Sequence, residues 1–215
     1  MNISGIRATP TLCLLAALLG GLSGGCASTA NDLTMVSADH HRDFRQHFSH
    51  AFAALNPDGD YDVVLVHDAN ADSLAGSEGP VKSSLVTPRQ VVHIRVYWLA
   101  DHGMKIDHPV ASNATIDWFL YGDRPNEGAN VLEYSGGGLV LVSESGNIST
   151  VTVRQGFLKP VARRGGMTDP LGPSSLVGTI TARVDRHGVQ DVLKEVNDAD
   201  GAAAQTTAAP VAAGQ

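Results

Sequence analysis

Two stretches constrain the fold more than any others: Arg89–Leu99, RQVVHIRVYWL, and Asn113–Gly122, NATIDWFLYG. In the first, Val92, Ile94, Val96 and Trp98 fall on one face of an extended chain, and His93, Arg95 and Tyr97 on the other. In the second, Ala114, Ile116, Trp118 and Leu120 oppose Thr115, Asp117, Phe119 and Tyr121. Side chains alternate with period two along a strand and about 3.6 along a helix, so this β-branched and aromatic alternation specifies two strands buried on one side. An antiparallel register with Arg95 opposite Asp117 sets Ile94 against Trp118 and Val96 against Ile116. An even-numbered shift keeps the same faces, whereas a one-residue slip reverses them. Cross-strand pairs of these kinds contribute roughly 0.2–1 kcal/mol each.

The rest of the chain is expected to complete an α+β domain, an antiparallel β-sheet with an N-terminal and a C-terminal amphipathic helix. Phe44, Phe48, Phe52 and Leu55 recur at helical spacing after Asp39, a candidate N-cap, which predicts a helix over His40–Leu55. Asn56-Pro57-Asp58-Gly59 would end it. Tyr61–His67 reads as a buried strand, Ala69–Pro80 as a small-residue loop and Val81–Val86 as a short strand. Ala100–Ser112 is a long loop between the two central strands. Further strands are expected at Val131–Tyr134, Leu139–Glu144, Ile148–Phe157 and Leu176–Asp185, with turns at Ser135–Gly138 and Ser145–Asn147. Lys159–Ser174, rich in Gly and Pro, reads as a loop. Val189, Val192, Leu193 and Val196 then mark the second helix, and from Ala199 the composition is that of a disordered tail.

The chain has 215 residues and a net charge of −7, with no basic stripe, which argues against a nucleic-acid partner. Its first residues have a different character. Arg7 precedes an apolar run from Leu12 to Leu19, then Ser23-Gly24-Gly25 and Cys26. The run is too short to span a bilayer and has the flanks of a secretory leader. This segment resembles the signal sequence of bacterial lipoproteins, although Ser23 stands where that pattern has a branched aliphatic residue. The resemblance implies cleavage after residue 25 and acylation of Cys26. It also implies export and a lipid anchor, with Ala27 after the cysteine pointing to the outer membrane, facing the periplasm. An ordinary cleaved leader is the alternative. Cys13 lies in the leader, so Cys26 would be the only cysteine of the mature chain, which excludes an intramolecular disulfide. The domain plan is then leader 1–25, tether 26–38, folded domain 39–198 and tail 199–215.

Candidate chemistry is sparse. His40, Asp43, His47 and His50 would share a stripe of the first helix, a solvated face by default. His93 with His102 and His108 of the Ala100–Ser112 loop is a weak metal-ligand set, because nothing in the spacing fixes its geometry. Asp58-Gly59-Asp60-Tyr61-Asp62 fails the EF-hand pattern, with Val63 and Ala69 where glycine and glutamate are needed. Arg163-Arg164-Gly165-Gly166 could cradle an anion or simply be a solvated loop. No nucleophile elbow, phosphate loop or His-Glu-x-x-His is present.

The expectation is therefore an envelope lipoprotein with a non-catalytic binding or assembly module. No cofactor is implied, and the partner would be an envelope protein or a small ligand. The candidate binding surface is the aromatic and charged face His93, Arg95, Tyr97, Asp117, Phe119 and Tyr121, which could equally be a sheet face half-covered by a helix. The alternatives are a metal-dependent enzyme or metal carrier using His93, His102 and His108, and a purely structural envelope protein.

Overall fold

The computed structural model describes residues 31–39, 42–69, 89–100, 112–122 and 130–207, with backbone alone from 200 onward. The expected leader, Cys26, the Ala100–Ser112 histidines His102 and His108, His40, and the strand at Val81–Val86 lie outside the described residues.

The strands are β1 (Asp32–Ser37), β2 (Asp43–His47), β3 (His50–Leu55), β4 (Tyr61–Asp68), β5 (Arg89–Val96), β6 (Ala114–Tyr121), β7 (Val131–Ser145), β8 (Ile148–Arg164) and β9 (Ser174–Val184), followed by the helix α1 (Arg186–Thr207). Their order is β2-β1-β9-β3-β4-β5-β6-β7-β8, and β8 pairs back onto β9. The sheet therefore closes on itself as a 7-strand barrel, β3 to β9, with the β1–β2 hairpin added along β9. All pairings are antiparallel except the short parallel contact of β3 with β9 at Phe52↔Arg183 and Ala53↔Val184. Closure removes the exposed edges of these strands, the hazard of an open sheet.

This overturns the α+β expectation: strands predominate among the described residues, and the N-terminal helix over His40–Leu55 is replaced by β2 and β3. The reason lies in the four-residue spacing of Phe44, Phe48 and Phe52, close to one helical turn, which imitates a helix where the chain is strand, turn and strand: Phe44 on β2 and Phe48 in the turn enter the interior, while Phe52 on β3 packs with the outer cluster. What separates strand from helix is the residues between. Asp43, Arg45 and His47 are exposed while Phe44 and Gln46 are buried, so β2 alternates strictly. Two other expectations change for related reasons. Ser135–Gly138 is no turn but the middle of the continuous β7, and β8 runs on through Lys159 to Arg164. The chain is already a strand at Asp32, inside the expected tether, and α1 continues past Ala199, itself buried, into the expected tail.

The strands expected at Tyr61–His67, at the central pair and at Leu176–Asp185 are present, as is the C-terminal helix. The central register is Ile94↔Ile116, His93↔Asp117 and Arg95↔Thr115, shifted by an even step from the Arg95–Asp117 pairing, so both faces are preserved. Pairing stops at Val96↔Ala114, and Trp98 lies in a bend 42% exposed instead of in the core. Asn113 explains the stop. Its carbonyl still accepts from Tyr97 N–H (2.9 Å), but its own N–H turns to Gly138, and its side-chain amide donates to the carbonyls of Trp98 (2.9 Å) and Val140 (2.8 Å) and accepts from Val140 N–H (2.8 Å), so a buried side chain ends the ladder.

The barrel interior is filled by side chains, as expected of a barrel this narrow. At its centre Trp118, fully buried, meets Phe44 at 5.9 Å and Phe48 at 5.7 Å between ring centroids. Its indole N–H donates to Gln90, whose amide donates in turn to Gln46, so the buried polar groups satisfy one another. The loop after β8 seals one end: Leu171 is buried in the core, and Asp169 accepts from the Tyr134 hydroxyl and from the N–H groups of Leu171 and Gly172. Outside the wall, α1 lays Val189, Val192, Val196 and Ala199 on Val64, Val66, Val91, Phe119 and Tyr121. Asp185 caps this helix by accepting from Gly188 N–H at 3.1 Å.

Candidate functional site

The face selected from the sequence lies on the outer wall, and its members divide. Phe119 and Tyr121 are covered by α1. His93 Nε2 meets Asp62 at 2.8 Å, and Asp62 also accepts from the Asn56 amide. Arg95 pairs with Asp60 and, at 3.5 Å, with Asp58, and its guanidinium lies over the Tyr97 ring. Asp117 accepts from Ser135. Burial works against the Asp62 carboxylate, but hydrogen bonds from His93 and Asn56, with the charges of His93 and Arg95, outweigh it and hold its pKa below the ordinary value. The Asp58–Asp62 turn thus anchors the β3–β4 corner to β5. Among the described residues no three His, Cys, Asp or Glu side chains converge as metal ligands. Of the weak metal set only His93 is described. Asp43 and His47 lie on β2 and His50 on β3, so the helical stripe is dispersed. Arg163 and Arg164 end β8, with Arg163 3.6 Å from Asp169.

A different place on the outer wall forms a cleft. Register sets Val36, Ser175, Phe157 and Gly137 in one row across β1, β9, β8 and β7, and sets Lys159 beside Ser135. Large and small residues alternate along this row, so the wall dips between its apolar side chains. β8 also comes unusually close to β7 here. A Cβ on Gly136 would stand 1.8 Å from the Phe157 carbonyl oxygen, and one on Gly138 2.6 Å from that of Gln155. Register shifts between Leu139 and Val140, and between Val153 and Gly156, bend both strands at this point. The result is an open concavity of about 490 Å³ walled by Val36, Ala38, Phe157 and Pro173, with Lys159 and several serines, Ser175 among them, as its polar residues. Phe157 is 55% exposed there, although it is one of the largest apolar side chains of the chain. Lys159 makes no ion pair among the described residues.

The sequence reading missed this cleft because it took the glycine run for a turn and Lys159 for the start of a loop. The signal available was Gly-Phe-Leu-Lys itself, which continues the strand alternation beyond Phe157. At the far end of the barrel, Tyr61 and Ser149 are buried side by side near Glu144, and burial, with Glu144, pushes the Tyr61 hydroxyl up to about 12.

No helix among the described residues is long and apolar enough to cross a membrane. No family model matches the chain, and neither the curated proteins nor the solved structures contain a significant match.

Proposed function

We propose that this protein is an envelope lipoprotein, held by acyl chains on Cys26 at the outer membrane facing the periplasm, whose barrel is a non-catalytic binding module. The leader pattern ending at Cys26 supports the anchor. The observation that carries the binding role is the cleft of about 490 Å³ at Val36, Phe157 and Lys159, within the range of roughly 300–1,000 Å³ typical of small-molecule sites. It leaves large apolar side chains open to solvent, where burial would otherwise stabilise them. The His93–Tyr121 face is a poorer candidate, since Phe119 and Tyr121 lie under α1 and its charges are already paired.

Two experiments test this reading. Cys26→Ser should move the protein out of the membrane fraction; unchanged retention defeats the anchor. Native mass spectrometry of the protein drawn from envelopes should show a non-covalent adduct that disappears in Ser175→Trp, a variant that fills the cleft. A protein that carries no adduct in either form defeats the binding role.

A further inference from the structure

We propose that the cleft takes a single-chain fatty acid, its carboxylate at Lys159 and its hydrocarbon chain along Phe157, Pro173 and Val36. This inference rests on the binding-module reading and names the ligand class. The shape and chemistry of the walls exclude the main alternatives. An extended peptide adds to a sheet through a free strand edge. The strands that line the cleft are paired on both sides, Val36 with Asp43 and Ser175, Ser175 with Val36 and Phe157, Phe157 with Ser175 and Gly137, and the free edge of β2 lies outside the lining. A sugar needs many directed donors and acceptors, whereas this cleft offers one ammonium group and a few serine hydroxyls. A membrane surface is met by side chains that project, but Phe157 and Val36 line a concavity between the Ala38–Pro173 side and the Ser135–Gly136 side. What fits an apolar trough with one cation on its wall is a narrow chain bearing one anionic head.

The charge pattern favours the same ligand. The protein carries a net −7, and its described arginines are largely committed: Arg45 to Asp32, Arg89 to Glu195, Arg95 to Asp60 and Arg183 to Asp185. Lys159 is left without a carboxylate among the described residues, on the wall of the apolar cleft. A ligand carboxylate would supply the missing partner in a charge-assisted hydrogen bond.

The test is calorimetric titration of the full chain carrying Cys26→Ser, so that no attached acyl chain competes, with dodecanoate kept below its micelle-forming concentration. One saturable site is expected. Lys159→Gln, an exposed substitution that leaves the fold intact, should weaken dodecanoate about tenfold, the worth of one charge-assisted contact. The same variant should bind 1-dodecanol as its parent does, and Ser175→Trp should lose both ligands. Dodecanoate that fails to bind at millimolar concentration, or that binds all three forms equally, overturns the proposal. So does protein that partitions onto anionic phospholipid vesicles while ignoring monomeric dodecanoate. An envelope adduct of another chemical class, lost in Ser175→Trp, would overturn the fatty acid while leaving the binding module standing.

Discussion

Replacing Gly136 by alanine tests the central geometric idea, that β7 needs bare backbone where β8 crosses it. The added Cβ would lie 1.8 Å from the Phe157 carbonyl oxygen, 2.8 Å from its carbon and 3.1 Å from Leu158 Cα. All three are backbone atoms of a paired strand, so no side-chain rotation relieves the contact. β8 must move by more than an ångström, which breaks the Gly136↔Leu158 rung and lifts Leu158, 2% exposed, from the core. Overpacking of this kind costs about 1–3 kcal/mol, occasionally more. The entropy that alanine removes from the unfolded chain offsets only about 0.4–1 kcal/mol. With the contact wholly against backbone, about 3 kcal/mol is expected, which lowers Tm by about 6–12 °C in a domain of this size. Gly146→Ala is the control. Its φ of 64° disfavours a side chain, but nothing lies within 4 Å, so the loss should be about 1–2 kcal/mol. The assay is thermal unfolding followed by circular dichroism and by the fluorescence of Trp98 and Trp118. If Gly136→Ala melts within 2 °C or so of the parent, or no lower than Gly146→Ala, the close-crossing argument is wrong.

Asn113→Ala should destabilise by about 2–4 kcal/mol, because it orphans the buried N–H and C=O of Val140 together; urea unfolding would measure it, and a loss under about 1 kcal/mol would mean that water replaces the amide. The raised Tyr61 hydroxyl makes stability fall as pH climbs from about 10, where the unfolded tyrosine ionises, to about 12; Tyr61→Phe should flatten that limb in alkaline denaturation curves. Asp62, whose pKa is depressed on folding, contributes stability that is fully present above about pH 4, the unfolded value, and is lost as pH falls through the folded one. Asp62→Asn should therefore weaken the protein at neutral pH and reduce the slope of its acid limb; an acid limb parallel to the parent's would disprove the assignment.

The legibility of this protein divides along physical lines. Where a property depends on a few neighbouring residues, it could be read directly. The faces of β5 and β6 followed from alternation, and an even register shift left them intact. The apolar stripe Val189–Val192–Val196 announced α1. The Tyr97–Phe119–Tyr121 face was read with a covering helix as one option, and α1 does cover Phe119 and Tyr121.

What local pattern could not decide was closure. The β8–β9 pairing that turns the sheet into a barrel joins segments whose sequences say only that each is a strand. The same holds for β2 and β3, where the four-residue spacing of Phe44, Phe48 and Phe52 imitates a helix until long-range partners choose: Trp118 takes Phe44 of β2 and Phe48 of the following turn inside the barrel, while Phe52 of β3 packs outside it. The glycines of β7 were ambiguous for a related reason, since the same residues permit a turn or a close crossing, and only the approach of the Phe157 carbonyl shows which. The cleft follows from that crossing. Sequence by itself determined which residues alternate and which faces are apolar, because those are properties of a short backbone repeat. Tertiary structure alone decided which edges meet, where the wall bends and therefore where Phe157 and Lys159 meet Val36 and Pro173, because those depend on contacts between residues far apart in the chain.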